Sequence, residues 1–193
     1  MTMSYRPLSL AVLLLTSILS TACLNRPEVR SEGSRELSAE TQLGSVAVFP
    51  FNGHYGDMLA SRISYELLQR GYGIIPQERV RAALAAEDLG TGELYAGDGH
   101  ARIMEVAGKL GADTVIVGTV TARERADNQL TQVADQFRAA APLKVKKARA
   151  EFLRVTDGTT LAAATFQGDR EYGVFTPNYR DAARGLVEAV FGE

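Results

Sequence analysis

Tryptophan is absent from this 193-residue chain, which holds a single cysteine, Cys23, and two histidines, His54 and His100. One cysteine excludes an internal disulfide. Two isolated histidines without a cysteine pair offer no metal-ligand spacing, so no metal and no cofactor are expected. There is no GxxxxGK-Ser/Thr phosphate cradle and no GxSxG serine elbow, which removes the commonest nucleotide and acyl-transfer chemistries. Charge of one sign is also lacking. The net value of −2 provides no field to gather nucleic acid, and no nucleic-acid partner is expected. The longest apolar run, Leu8 to Leu19, falls short of the roughly 20 residues of a spanning helix.

That run has a different meaning in context. One cation, Arg6, precedes it, and Ser20, Thr21 and Ala22 follow it, directly before Cys23. A basic start, a short apolar core and small residues at the end are the layout of an export signal. The cysteine at its end resembles the lipobox of bacterial lipoproteins, although Ser20 stands where that pattern prefers Leu. The resemblance implies cleavage after Ala22 and lipidation of Cys23. Lipidation would also remove the hazard of a free thiol in an oxidising compartment. Residues 1–22 are then a signal peptide, and the mature chain from Cys23 carries a net charge of −3, because Arg6 is the only charge removed. Leu24, rather than Asp, follows the cysteine. By resemblance to enterobacterial sorting this implies an outer-membrane lipoprotein facing the periplasm, held at the membrane by acyl chains.

Residues 23–44 are polar, charged and nearly free of bulky apolar groups, and cannot bury enough surface to offset their ordering entropy. They read as a flexible tether of about 70 Å when extended and about 25 Å as a coil. Residues 45–193 form one domain. Ser45 to Phe51, SVAVFPF, has the look of a strand buried on both faces and ended by Pro50. Asp57 can cap the following helix, whose stripe is Leu59, Ile63 and Leu67 with Leu68. A short strand, Tyr72 to Ile75, and a helix opened by Pro76, with Val80 and Leu84 inward, come next. Glu87 to Gly99 is a glycine-rich loop. From His100 the 3.6 period returns at Ile103, Val106, Ala107 and Leu110, and Thr114 to Val120 reads as a second central strand. Thr121 to Leu143 shows no clear period. Lys144 to Thr156 and Thr159 to Gln167 read as a hairpin about Asp157-Gly158, and Pro177-Asn178 start a last helix with Ala182, Leu186, Val187, Val190 and Phe191 inward. The alternation predicts an α/β domain, a three-layer mixed sheet, mainly parallel with a C-terminal hairpin, flanked by about four helices.

Candidate chemistry is sparse. His54 and Asp57 follow the first strand, where α/β folds bind ligands, and could form an acid/base pair or simply a turn beside a cap. Gly90-Thr91-Gly92 and Gly97-Asp98-Gly99 read as loop punctuation, and Glu87, Asp88 and Glu93 as a solvated loop. Lys144, Lys146, Lys147 and Arg149 form one dense basic cluster. It offers either a contact surface for an acidic partner, polysaccharide or lipid headgroups, or a sheet edge guarded against unwanted pairing.

Four pieces in order carry a family resemblance: Val46-Ala47-Val48-Phe49-Pro50-Phe51; the helix closing at Gly71-Tyr72, with its Ile-Pro; Leu110-Gly111-Ala112-Asp113 running into Val115-Ile116-Val117-Gly118-Thr119-Val120; and the Asp157-Gly158 hairpin. Together they resemble the CsgG-type periplasmic lipoprotein superfamily, which includes the curli secretion lipoprotein, the peptidoglycan-synthase activator LpoB and the exopolysaccharide lipoprotein PelC. The resemblance implies no catalysis, action on an envelope protein partner or exported polymer, and homo-oligomers. A curli-type pore needs strands of about ten alternating residues, which Thr121 to Leu143 lacks. The short tether counts against a synthase activator. A compact membrane-proximal docking or export component is the expectation, with the synthase activator, or a small hydrolase or ligand-binding protein using His54 and Asp57, as alternatives.

Overall fold

The computed structural model describes residues 28–31, 43–123, 144–168 and 178–191. Cys23, the signal segment, Pro177 and most of the segment without a period lie outside them. The described elements are strands β1 (Glu28–Ser31), β2 (Ser45–Val48), β3 (Gly73–Ile74), β4 (Thr114–Arg123), β5 (Lys144–Arg154) and β6 (Thr160–Gln167). The helices are α1 (Gly56–Gln69), α2 (Gln77–Ala86), α3 (Gly99–Leu110) and α4 (Tyr179–Phe191), with a 3-10 turn at Glu93–Tyr95.

The strands form one mixed sheet in the order β1-β6-β5-β4-β2-β3. β2 pairs parallel with β3 and β4. β4–β5, β5–β6 and β1–β6 are antiparallel. The parallel part is therefore confined to one end. The expectation of a mainly parallel sheet is corrected by β5, which pairs directly against β4, and by β1.

β1 also corrects the tether. Residues 28–31 are a strand, in register Glu28 with Gln167 and Ser31 with Ala164. Composition offers this segment no core-forming run. A strand added to a sheet edge draws on ladder hydrogen bonds instead, and those need no apolar side chain.

Helices cover both faces, giving three layers. On one side α1 and α4 pack over Val46, Val48, Ile116, Val120, Ala148, Ala150, Phe152 and Phe166. On the other, α2, α3 and the 3-10 turn cover Ala47, Phe49, Val115, Val117 and Leu153. Val46 through Phe49 are fully buried, so the apolar SVAVF run is a strand enclosed on both faces, as its sequence requires. Gln77 links three elements, its amide donating to Val48 O at 2.8 Å and to Ser64 Oγ at 2.9 Å.

Side-chain and glycine caps hold two of the helix ends. Asn178 Oδ1 accepts from the N–H groups of Arg180 and Asp181, while Asp181 Oδ2 accepts from Asn178 N–H, a reciprocal cap on α4. Gly111, in the left-handed region, closes α3. α1 differs from expectation: its N-cap is Tyr55, at φ 57° and without a side-chain cap, and Asp57 lies inside the first turn. The hairpin loop is longer than two residues. Arg154 N–H donates to Thr159 O and Gly158 N–H to Arg154 O. Only Gly158 has positive φ, at 69°, and Asp157 Oδ1 accepts from Thr159 N–H.

Candidate functional site

Where β4 leaves its pairing with β2, the 3-10 turn and the start of α3 arch over the sheet and leave a pocket of about 250 Å³. Tyr95, Gly97, His100, Gly118, Arg149 and Glu151 are among its lining residues. The loop read as glycine punctuation thus forms one wall, and Arg149 of the basic cluster lies opposite. Sequence spacing could not reveal this meeting, because it joins residues some 50 positions apart through the β4–β5 register.

Two polar groups of this pocket, Tyr95 and Arg149, are held by hydrogen bonds. Tyr95 Oη donates to Pro50 O at 2.8 Å and accepts from Gly118 N–H at 3.2 Å. Arg149 Nε donates to Glu151 Oε1 at 3.0 Å. Burial pushes the Tyr95 hydroxyl up from 10.0 to about 12, so it stays protonated throughout the neutral range. Its proton is held more tightly in the folded than in the unfolded chain. As pH rises from 10 to 12 the unfolded state releases its proton first, and stability falls. The interval corresponds to roughly 3 kcal/mol at most. Tyr95→Phe should remove that alkaline dependence while losing about 1–2 kcal/mol at neutral pH, where Pro50 O is left without its donor. Denaturant midpoints of both proteins at pH 7, 10 and 11.5 check this.

His54 sits in the turn that follows β2 and Asp57 in the first turn of α1, and both are exposed. No hydrogen bond or ion pair joins them among the described residues. The His54 ring lies edge-on to Tyr55, 4.2 Å between centroids, and its main-chain oxygen accepts from Tyr179 Oη at 3.0 Å. Glu87, Asp88 and Glu93 are exposed, as expected of a solvated loop: Glu87 pairs with Lys109 at 2.6 Å, Asp88 takes positive φ just past α2, and Glu93 Oε2 accepts from Gly90 N–H. Among the described residues no group of three His, Cys, Asp or Glu could hold a metal ion, and no helix is long and apolar enough to cross a membrane.

The basic cluster differs from expectation in two ways. β5 lies between β4 and β6, so the cluster does not guard a sheet edge. Its register against β4 shifts between Thr121 and Ala122, which face Lys147 and Val145, and Lys146 is the additional residue. This bulge breaks the alternation. Val145 and Ala148 are both buried, while the adjacent Lys146 and Lys147 are both exposed. Lys144 opens the strand.

A feature missed from sequence lies on α1. Leu68 was expected in the buried stripe with Leu67 but is 57% exposed. With Met58 (44%) and Tyr65 (50%), and Tyr55 at the N-cap, it forms an apolar stripe on the helix face turned away from the core. The spacing of Met58, Tyr65 and Leu68 is a second helical pattern beside that of Leu59, Ile63 and Leu67. A strict count of both stripes would have found it.

Neither a protein-family model nor a curated protein matches the chain. Solved structures do. The chain is similar to PelC from Paraburkholderia phytofirmans, solved as a dodecamer, at 16% identity over 86% of this chain and 94% of that one, with a TM-score of 0.45. It is similar to the LpoB C-terminal domain from Escherichia coli at 10% identity over 68% and 87%, TM-score 0.45. It is also similar to Lipoprotein GNA1162 from Neisseria meningitidis at 17% identity over 68% and 89%, TM-score 0.44.

Proposed function

We propose that this protein is a non-enzymatic lipoprotein of the outer membrane, whose periplasmic α/β domain self-associates and serves as a docking component of an envelope export or assembly machine. The observation that carries the reading is the apolar stripe Tyr55, Met58, Tyr65 and Leu68 on α1. The stripe lies on the open face of a helix whose other face is fully used by the core. Tyrosine and methionine are residues that interfaces favour. Tyr55 is held in a left-handed conformation at a cost of about 1–3 kcal/mol, with Tyr179 packed edge-on at 6.3 Å. A second copy is the occupant we assign to this stripe.

The docked β1 strand adds support. If Cys23 carries the lipid, only residues 24–27 separate it from Glu28, a reach of about 17 Å rather than about 70 Å. Such a leash suits work beside the membrane and does not suit an activator that must extend far into the cell wall.

Mass photometry of a chain starting at Leu24 tests the proposal. Oligomers are expected at micromolar concentration. Tyr65→Glu with Leu68→Glu should weaken association at least about 100-fold, since each places a charge at a desolvated contact. The stability of the monomer should change by less than about 1 kcal/mol, because both side chains are already exposed. A strictly monomeric wild type at high concentration would reject self-association.

A further inference from the structure

The registers of β1, β6, β5 and β4 align four residues across the sheet. Glu28 faces Gln167, Gln167 faces Lys147, and Lys147 faces Thr121. Glu28 is the first residue of β1, so the chain enters the sheet at one end of this row. Lys147 stands two strand spacings away, about 10 Å. Lys146, the bulge residue, is its neighbour, and both are exposed. The hairpin loop of β5 and β6 lies at the opposite end of the sheet, seven residues or about 23 Å further along β5.

From this alignment we infer that the end of the sheet bearing Lys146 and Lys147 faces the membrane, and that these two lysines bind the phosphate groups of anionic lipids. The inference rests on lipidation of Cys23. Given that anchor, a leash of four residues places the Glu28 end within about 17 Å of the lipid surface. The two exposed ammonium groups near it are then able to reach the headgroups, where the negative surface potential acts within a Debye length of about 8 Å. Arg149 is turned to Glu151 at 3.0 Å and contributes less free charge. The mature chain is net negative, so attraction to an anionic surface must come from this local pair and not from the molecule as a whole. The lysines do not anchor the protein; they orient a domain that the acyl chains have already brought down.

The test uses the mature lipidated chain in vesicles containing about 20% anionic lipid and headgroup-labelled quencher. Lipidation blocks Cys23, so a cysteine introduced by Thr121→Cys or by Thr156→Cys takes a fluorophore alone. Thr121 is in the aligned row and Thr156 is in the hairpin loop. We expect strong quenching at position 121 and little at 156. Lys146→Glu with Lys147→Glu, or 0.5 M salt, should reduce the 121 signal several-fold. A charge at each lysine is worth about a fivefold change in the docked population. Equal quenching at both positions, or no effect of the double variant, overturns the inference. So does protection of the 121 fluorophore by a soluble acidic polymer with no quenching in vesicles, which would assign the lysines to such a polymer. Failure of lipidation itself is distinguishable: the protein would then not sediment with vesicles, and Cys23 would still react with the fluorophore.

Discussion

Cys23→Ser is expected to release the protein completely from the membrane fraction and to abolish incorporation of labelled palmitate. The magnitude follows from the acyl chains. Each buried methylene adds about 0.8 kcal/mol, and two or more chains hold a protein in a bilayer almost irreversibly, whereas one chain does so only marginally. Nothing else among the described residues can replace them. No helix is long and apolar enough to cross a membrane, the mature chain is net negative, and two lysines cannot retain a protein against washing at physiological salt. Fractionation on a sucrose gradient with palmitate labelling measures the effect. A Cys23→Ser variant that keeps the label or stays with the membrane would refute anchoring through Cys23, and with it the envelope role argued from that residue.

Gly118→Ala is expected to cost at least about 3 kcal/mol, among the largest effects of any single methyl group in this domain. Gly118 sits in the centre of β4, paired with Ala150 of β5. A Cβ there would come within 1.9 Å of Arg149 O and 2.5 Å of the Phe51 ring. The ring is fully buried and cannot swing away, and the carbonyl belongs to the adjoining strand, so the two strands must part. Overpacking of this kind costs about 1–3 kcal/mol even where side chains can yield, and here the obstacle is backbone. The same shift would disturb Gly118 N–H, which donates to Tyr95 Oη, and Gly118 O, which accepts from Asn52 N–H. For a domain near 150 residues the loss amounts to roughly 6–12 °C in Tm. Gly108→Ala is the matched control. Gly108 is an exposed residue inside α3 with open space around it, and alanine there should stabilise by about 0.8–1 kcal/mol through helix propensity. Thermal melts of the two variants should therefore move in opposite directions.

The contrast between these glycines shows how far the chain could be read in one dimension. Periodicity found each helix within a residue or two, because the stripes Leu59-Ile63-Leu67 and Ile103-Val106-Ala107 are set by the geometry of a single helix. It found β2 and β4, because a strand enclosed on both faces has no polar alternate positions. It placed Leu68 on the wrong side, since one helix can carry two apolar stripes and only packing decides which is covered. It also treated residues 28–31 as tether, because an edge strand is held by a neighbour's main chain and needs no composition of its own.

The basic cluster makes the same point at the level of the candidate site. Four cations within six residues are plain in the sequence, but their meaning depends on what β5 pairs with. An interior strand with a bulge at Lys146 turns two adjacent lysines outward, beside the row where β1 begins. Composition and the residues before Cys23 determined by themselves the expectations of export, lipidation and a single α/β domain, because targeting and helix or strand period are local properties of the chain. The order of the strands, the closure of the Tyr95 pocket, the open stripe on α1 and the alignment of Glu28 with Lys147 were decided only by tertiary structure. Each is a pairing between distant segments, fixed by main-chain hydrogen bonds and core packing that no local run of residues contains.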